Sequence, residues 1–342
     1  MQLYLGMVLV SFAVTMALLV PFIGWLYRKR FVRQTETAQI LPGDTLEYKK
    51  FAAKHSQKAG TPTGAGVLLV VVTMVLFALT SLGLKDVRYG GYSYWWEVGV
   101  LFFTFGAFGL LGLYDDVIKI FGYERTGFFG MRMRQKFIIQ WMLGLVSAAV
   151  LYFGLGIDFI NIPFLGVIRL GWMYFPVAGF LVVWFANAFD ITSGLDGLGE
   201  GLLLICLLAF WGIAAADLDK VLQLFLAIWI GATAAGIYFT INPARTFQGN
   251  SSGMAFGATL AIVGLLSGKI LALLIIGGVI VADGASSLIQ ILSRRIFKRR
   301  VFPIAPVHHW LEVIGWEEPK IVARAWLGGI VMAIFGVWLA SL

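Results

Sequence analysis

The feature that most restricts this chain is a series of apolar runs, each close to the roughly 20 residues an α-helix needs to cross the hydrocarbon of a bilayer. In order, they fall at 3–26, 65–84, 96–114, 137–156, 172–189, 201–216, 221–241, 254–267, 270–292 and 323–341. Inside lipid, a backbone satisfies its polar groups only as a helix or a closed barrel. Barrel strands alternate apolar and polar residues, whereas these runs are apolar on every side and rich in Leu, Ile, Gly and Ala, so helices are expected. With 60% hydrophobic and only 13% charged residues, the chain has too little polar surface to clothe a water-soluble domain of 342 residues. The expected fold class is all-α: one polytopic integral membrane domain over 1–342, with about ten transmembrane helices.

Charge orients that threading. Loops on one side hold 21 of the 26 basic residues, in the groups Arg28 to Lys58 (including Lys49, Lys50 and Lys54), Lys119 to Lys136 (including Arg125), Arg245, and Arg294 to Arg324. Lys85, Arg88, Arg169, Lys220 and Lys269 remain on the other. The positive-inside rule puts the first set in the cytoplasm and both termini outside. The run at 3–26 has basic residues after it and none before, the reverse of a cleavable signal. Two spans, 201–216 and 254–267, are short, Asp158 to Gly171 reads as an outer hairpin, and 31–64 reads as a long, partly ordered cytoplasmic loop. The net charge of +8 is explained by this topology, so no nucleic-acid partner is expected. A single cysteine, Cys206, excludes an internal disulfide and a cysteine-built zinc cluster. Neither an internal repeat nor acids near the midplane speak for a transporter.

Every unusual polar cluster falls on the cytoplasmic side: Lys58 to Gly64, Tyr114 to Lys119, Asn187 to Asp196, Asn242 to Ser252 and Pro306 to Glu312. Asp115 and Asp116 follow an apolar run, where two adjacent acids are costly without a cation. Oxygen ligands of this type suit Mg²⁺ shared with substrate phosphates; the alternative is two solvated acids paired with Lys119 or Arg125. Asp190 and Asp196 bracket Gly194 and Gly197, which allows close backbone approach to a nucleotide or metal-phosphate group, or else makes an ordinary turn. His308 and His309, near the basic run Arg294 to Arg300, suit pyrophosphate contact or proton handling better than zinc; that run alone could equally anchor a span on anionic headgroups. Phe247 offers a face for a base, or simply packs at the interface.

Together these clusters resemble the phospho-N-acetylmuramoyl-pentapeptide transferases, over nearly the whole chain. Lys58-Ala59-Gly60-Thr61-Pro62-Thr63 matches the family's GTPT segment, Asp115-Asp116 with Lys119 its DDxxK, and Thr192 to Leu198 its TDGLDGL loop. Ala305 to His309 and Gly315 to Lys320 are similar to its APIHHHFELKGWPEPK region. The resemblance implies attack of undecaprenyl phosphate on the β-phosphate of UDP-MurNAc-pentapeptide, with Mg²⁺ as cofactor and lipid I and UMP as products. It implies a bacterial cytoplasmic membrane location, with the bilayer and a second copy in a homodimer as further partners. Asp115 would help activate the lipid phosphate and Asp116 would support the metal or that activation. Lys58, Thr61, Thr63, Lys119, His308 and His309 would contact phosphates or sugar. Asn187, Asp190, Thr192, Gly194, Leu195, Asp196 and Phe247 would hold the nucleotide end, and Gln290 would line the pocket. The metal set would be Asp115, Asp116 and Asn250.

Four positions depart from the family pattern. Asn250 stands where its FMGD segment ends in aspartate, Asp190 and Ser193 stand where its NLTDG has asparagine and aspartate, and Trp310 replaces a third histidine. Either one carboxylate has moved from one loop to another, or the chain is an impaired or repurposed relative that binds nucleotide-sugar or lipid phosphate or serves as a membrane scaffold.

Overall fold

A computed structural model describes residues 2–33, 58–84, 93–121 and 131–342. Lys49, Lys50, Lys54, His55, Lys85, Arg88 and Arg125, and most of the loop expected at 31–64, lie outside the described residues. The described chain is almost entirely helical: α1 (Gln2–Arg28), α2 (Gly66–Ser81), α3 (Tyr94–Phe121), α4 (Met133–Ala149, continued by a π turn to Gly154), α5 (Tyr174–Thr192), α6 (Leu198–Ala216), α7 (Lys220–Thr240), α8 (Asn250–Leu266), α9 (Ile270–Ile276), α10 (Gly278–Ile296), α11 (Val307–Val313) and α12 (Glu318–Ala340). Two short antiparallel strands, β1 (Phe159–Ile162) and β2 (Gly166–Arg169), form the hairpin expected between Asp158 and Gly171.

Among the described residues, seven helices are long and apolar enough to cross a membrane, and eight if α9 and α10 count as one span. The apolar α2 and α8 are shorter. The protein is therefore a polytopic, multi-pass membrane protein. The run at 270–292, expected to be continuous, is bent by 82° between α9 and α10. The Gly277-Gly278 pair sits at the bend, with Phe185 and Met332 packed so closely that a side chain there would collide. The run at 201–216, expected to be short, begins at Leu198 and makes a full 19-residue helix.

The packing has an inner and an outer ring. In α7, 83% of the apolar window is buried, against 28% in α1, α4 and α12, which leaves the latter three to face lipid. Phe105, Phe225, Trp229 and Phe256 stack edge-on and face-on where α3, α7 and α8 meet. Hydrogen bonds between helices add specificity where burial alone cannot: Ser11 Oγ to Ile228 O, Thr104 Oγ1 with Ser147 Oγ, and Asn187 Nδ2 to Gln140 Oε1. Tyr4 near Asp219, and Lys269 Nζ bonded to Ala340 O, bring both ends of the chain to the same end of the bundle. Asp115 and Asp116 lie at the other end.

Candidate active site

Asp115 and Asp116 do not stand beyond a span, as the apolar run ending at 114 suggested, but inside α3, which continues to Phe121. Both are buried. A carboxylate there is tolerable only if its neighbours answer the charge, and they do. Asp115 Oδ1 accepts from the Met131 amide (2.9 Å), while Oδ2 accepts from Asn250 Nδ2 (2.6 Å) and meets Lys136 Nζ (3.2 Å) and Lys119 Nζ (3.3 Å). Asp116 accepts from the amides of Asn250 (3.1 Å) and Ser251 (3.2 Å), so it caps the start of α8 and favours its positive end.

Two glycines make that meeting possible. Gly112 lies one turn before the acids, directly against the Asn250 carbonyl, where any side chain would hold α3 and α8 apart. Gly249 adopts φ +80 and ψ 178, a conformation open to glycine alone, and a β-carbon there would lie 2.6 Å from Asp116 Oδ2.

Lys136, which the motifs did not single out, also meets Asp190 Oδ2 at 3.5 Å and so spans two carboxylates. Asp190 belongs to the last turn of α5 rather than to a loop. Asp190, Asp116, Lys119, Asn250, Thr63, Gly194, Leu195 and Phe247 line one cavity of about 280 Å³. Gln248 lines it too, buried, with neither amide atom partnered among the described residues. Phe247 presents its ring to Arg33 (5.3 Å) and Lys58 (5.8 Å). Its loop is held by backbone bonds from the Phe247 amide to Pro62 O and from the Ala65 and Gly66 amides to Phe247 O and Gln248 O. Thr61 contributes its carbonyl to Arg33 N in the same strap.

A second polar cluster adjoins the first. Lys58 Nζ bridges Asp196 Oδ1 and Glu318 Oε1, each at 2.6 Å, and Asp196 Oδ2 accepts from Asn242 Nδ2 and the Ala244 amide, both at 3.1 Å. Leu195 and Gly197, the neighbours of Asp196, line the cavity. His308 Nδ1 lies 2.6 Å from Asp283 Oδ2, while its buried Nε2 has no partner among the described residues and would stand 2.8 Å from a β-carbon on Gly194. His309 Nδ1 pairs with Glu312 Oε2 at 2.9 Å.

Other named residues turn elsewhere. Gln290 takes the amides of Val301 and Phe302 and donates to Phe302 O, which shapes the loop after α10 and leaves it outside the cavity lining. Asn187 is tied to Gln140 and Val183 O between α5 and α4, and Thr192 Oγ1 bonds back to Ala188 O. Sequence reasoning passed over Lys136, Asp283 and Glu318. Asp283 carried a usable signal, because an acid within the apolar run 270–292 is a functional candidate by default.

Among the described residues, no three His, Cys, Asp or Glu side chains converge as a metal cage. The donor set still suits Mg²⁺, which takes one or two carboxylates and fills its other positions with water and phosphate. Asp115 and Asp190 supply two carboxylates around one ammonium, a place that already favours a cation, and the Asn250 amide lies against it.

The profile of Glycosyl transferase family 4 matches residues 98–268. The phospho-N-acetylmuramoyl-pentapeptide-transferase of Desulforudis audaxviator is 33% identical over 340 residues, 96% of this chain and 95% of its own length. Those of Bacillus mycoides and Bacillus anthracis are 33% identical over 289 residues, 83% of this chain and 85% of theirs. This chain belongs to glycosyl transferase family 4, in the branch of the phospho-N-acetylmuramoyl-pentapeptide transferases. In this family member, Asp115 and Asn250 are joined directly, and the carboxylate of Asp190 faces them across Lys136.

Proposed function

We propose that the protein transfers phospho-MurNAc-pentapeptide from UDP-MurNAc-pentapeptide to undecaprenyl phosphate, giving lipid I and UMP, at the cytoplasmic face of a bacterial inner membrane. The observation that carries this reading is the meeting of α3, α4, α5 and α8 through Asp115, Lys136, Asp190 and Asn250, beside a charged cavity that Asp116, Lys119, Asp190 and Asn250 line. Lys119 and Lys136 offset the charge of a diphosphate, and their pull on Asp115 keeps an anionic oxygen ready to accept the proton of the lipid phosphate. His308, fixed through Nδ1 by Asp283, directs Nε2 toward Gly194 and the substrate space. Phe247 offers its ring to the uracil. Asp115, Asp190 and Asn250 would hold Mg²⁺, which when bound neutralises pyrophosphate charge during the displacement. Asp116, with both oxygens on the α8 amides, supports that group by fixing Asn250.

A second reading is a relative that binds these substrates without turning them over. It is favoured by the 2.6 Å bond from the Asn250 amide to Asp115, which puts a neutral donor beside the carboxylate. Purified protein in detergent with UDP-MurNAc-pentapeptide, a polyprenyl phosphate and Mg²⁺ separates the two. Release of UMP together with lipid I supports the transferase, and binding of the nucleotide-sugar without UMP supports the second reading.

A further inference from the structure

A second cavity, of about 270 Å³, opens at the opposite end of α3. Glu97, in the first turn of α3, lies 18 residues before Asp115, about 27 Å along the helix at 1.5 Å per residue, close to the thickness of a hydrocarbon core. Glu97 lines this cavity with Asp217, Asp219 and Lys269. Phe159 and Val167 of the β-hairpin supply apolar wall.

The acids here lack the answer they have at the other end. Glu97 is only 5% exposed, yet its Oε1 has no hydrogen-bond partner among the described residues. The charged group set beside it is the carboxyl of Asp219, a like charge rather than a counter-ion. Asp219 also caps α7 through the Leu222 amide (2.9 Å). Burial pushes the Asp219 carboxyl above its ordinary value and neighbouring Asp217 adds to the rise, while the Leu222 and Val221 amides and the bond to Glu97 oppose it. An unanswered buried carboxyl oxygen is costly, so the cavity suits a ligand that donates hydrogen bonds and carries positive charge.

The rim says where such a ligand comes from. Trp95 and Trp96, just before Glu97, are 66% and 51% exposed, and the hairpin tip presents Phe164 and Leu165 at 82% and 74%. Exposed tryptophans and apolar tips at the end of a helical bundle belong at headgroup depth. From these observations we infer that the cavity binds the headgroup of an ethanolamine phospholipid, with its primary ammonium donating to Glu97 and Asp219 and its phosphate drawn to Lys269. A choline headgroup has no N–H to donate and is the discriminating control. This inference does not depend on the transferase reading.

The full chain, reconstituted in nanodiscs of equal phosphatidylethanolamine and phosphatidylcholine and released into native mass spectrometry, should retain the ethanolamine lipid at least fivefold over the choline lipid. Glu97→Gln should reduce that preference to near unity. Equal retention of the two lipids by the wild type, or an undiminished preference in Glu97→Gln, would overturn the proposal. Should Glu97→Gln not fold, Asp217→Asn on its exposed loop takes its place and must lower the preference at least twofold. Soluble O-phosphoethanolamine forms the remaining arm: if it binds while the lipid shows no preference, the site serves a free amine and the lipid assignment is wrong.

Discussion

The two ends of α3 treat buried acids in opposite ways. At Asp115 the carboxylate is met by two lysines, an asparagine amide and a backbone N–H, and Asp116 is met by two backbone amides. At Glu97 a carboxyl is set beside another carboxyl, and among the described residues one of its oxygens has no hydrogen-bond partner. The first end is wired to surround its acids with donors and cations, and those cations can also receive phosphate oxygens. The second is wired to hold a proton or to receive a cation. A single helix thus carries two charge environments, and its neighbours, not its own sequence, decide which acid does what.

The contrast predicts its largest effect at Lys136. Lys136→Met leaves Asp115 and Asp190 facing each other without their shared cation, and UMP release should fall on the order of a hundredfold. A loss below tenfold would mean that Lys119 alone balances the site. Next come the exchanged carboxylates. Asp190→Asn should weaken Mn²⁺ binding, followed by electron paramagnetic resonance, by about tenfold, while Asn250→Asp should tighten it. An unchanged affinity in both variants would remove Asp190 and Asn250 from the metal set. Phe247→Ala should raise the KM for the nucleotide-sugar by about tenfold with little change in kcat, as lost stacking of about 1–3 kcal/mol implies; an unchanged KM would return Phe247 to a packing role.

The smallest effect lies at the other end. Because the folded state raises the Asp219 pKa, folding binds that proton more tightly than the unfolded chain does. The stabilisation is complete below the ordinary carboxyl value and is lost as pH rises through the raised one. The Tm should therefore decline across that window, and Asp219→Asn, which can still cap α7, should flatten the decline. An identical pH profile in the variant would mean that Asp219 does not carry this proton.

Much of this was legible in the sequence, and the parts that were not have physical reasons. Spans could be read because hydrocarbon imposes one length and one composition on any helix that crosses it. Each expected run overlaps a helix, yet the 82° break at Gly277 was hidden, because an apolar run looks the same whether the helix inside it is straight or bent. The clusters at Lys58, Asp115, Asp190 and Asn250 could be matched to a family, and the structure brings them together. Their partners could not be read. Asp115 meets Asn250 across 135 positions and Lys58 meets Glu318 across 260, and no local pattern encodes such pairs. Gln290, which the family resemblance put at the pocket, accepts from the backbone of 301–302, a role that no motif announces. The Glu97 and Asp219 pair was invisible for the same reason as Asp115 and Asn250, since only folding sets two ordinary acids side by side.

The most direct test compares wild type with Asp115→Asn in one assay, measuring UMP released from UDP-MurNAc-pentapeptide in the presence of a polyprenyl phosphate and Mg²⁺. Release by the wild type and a loss on the order of a hundredfold or more in Asp115→Asn, with the variant still folded, is the predicted result. Equal rates in the two proteins would contradict the account.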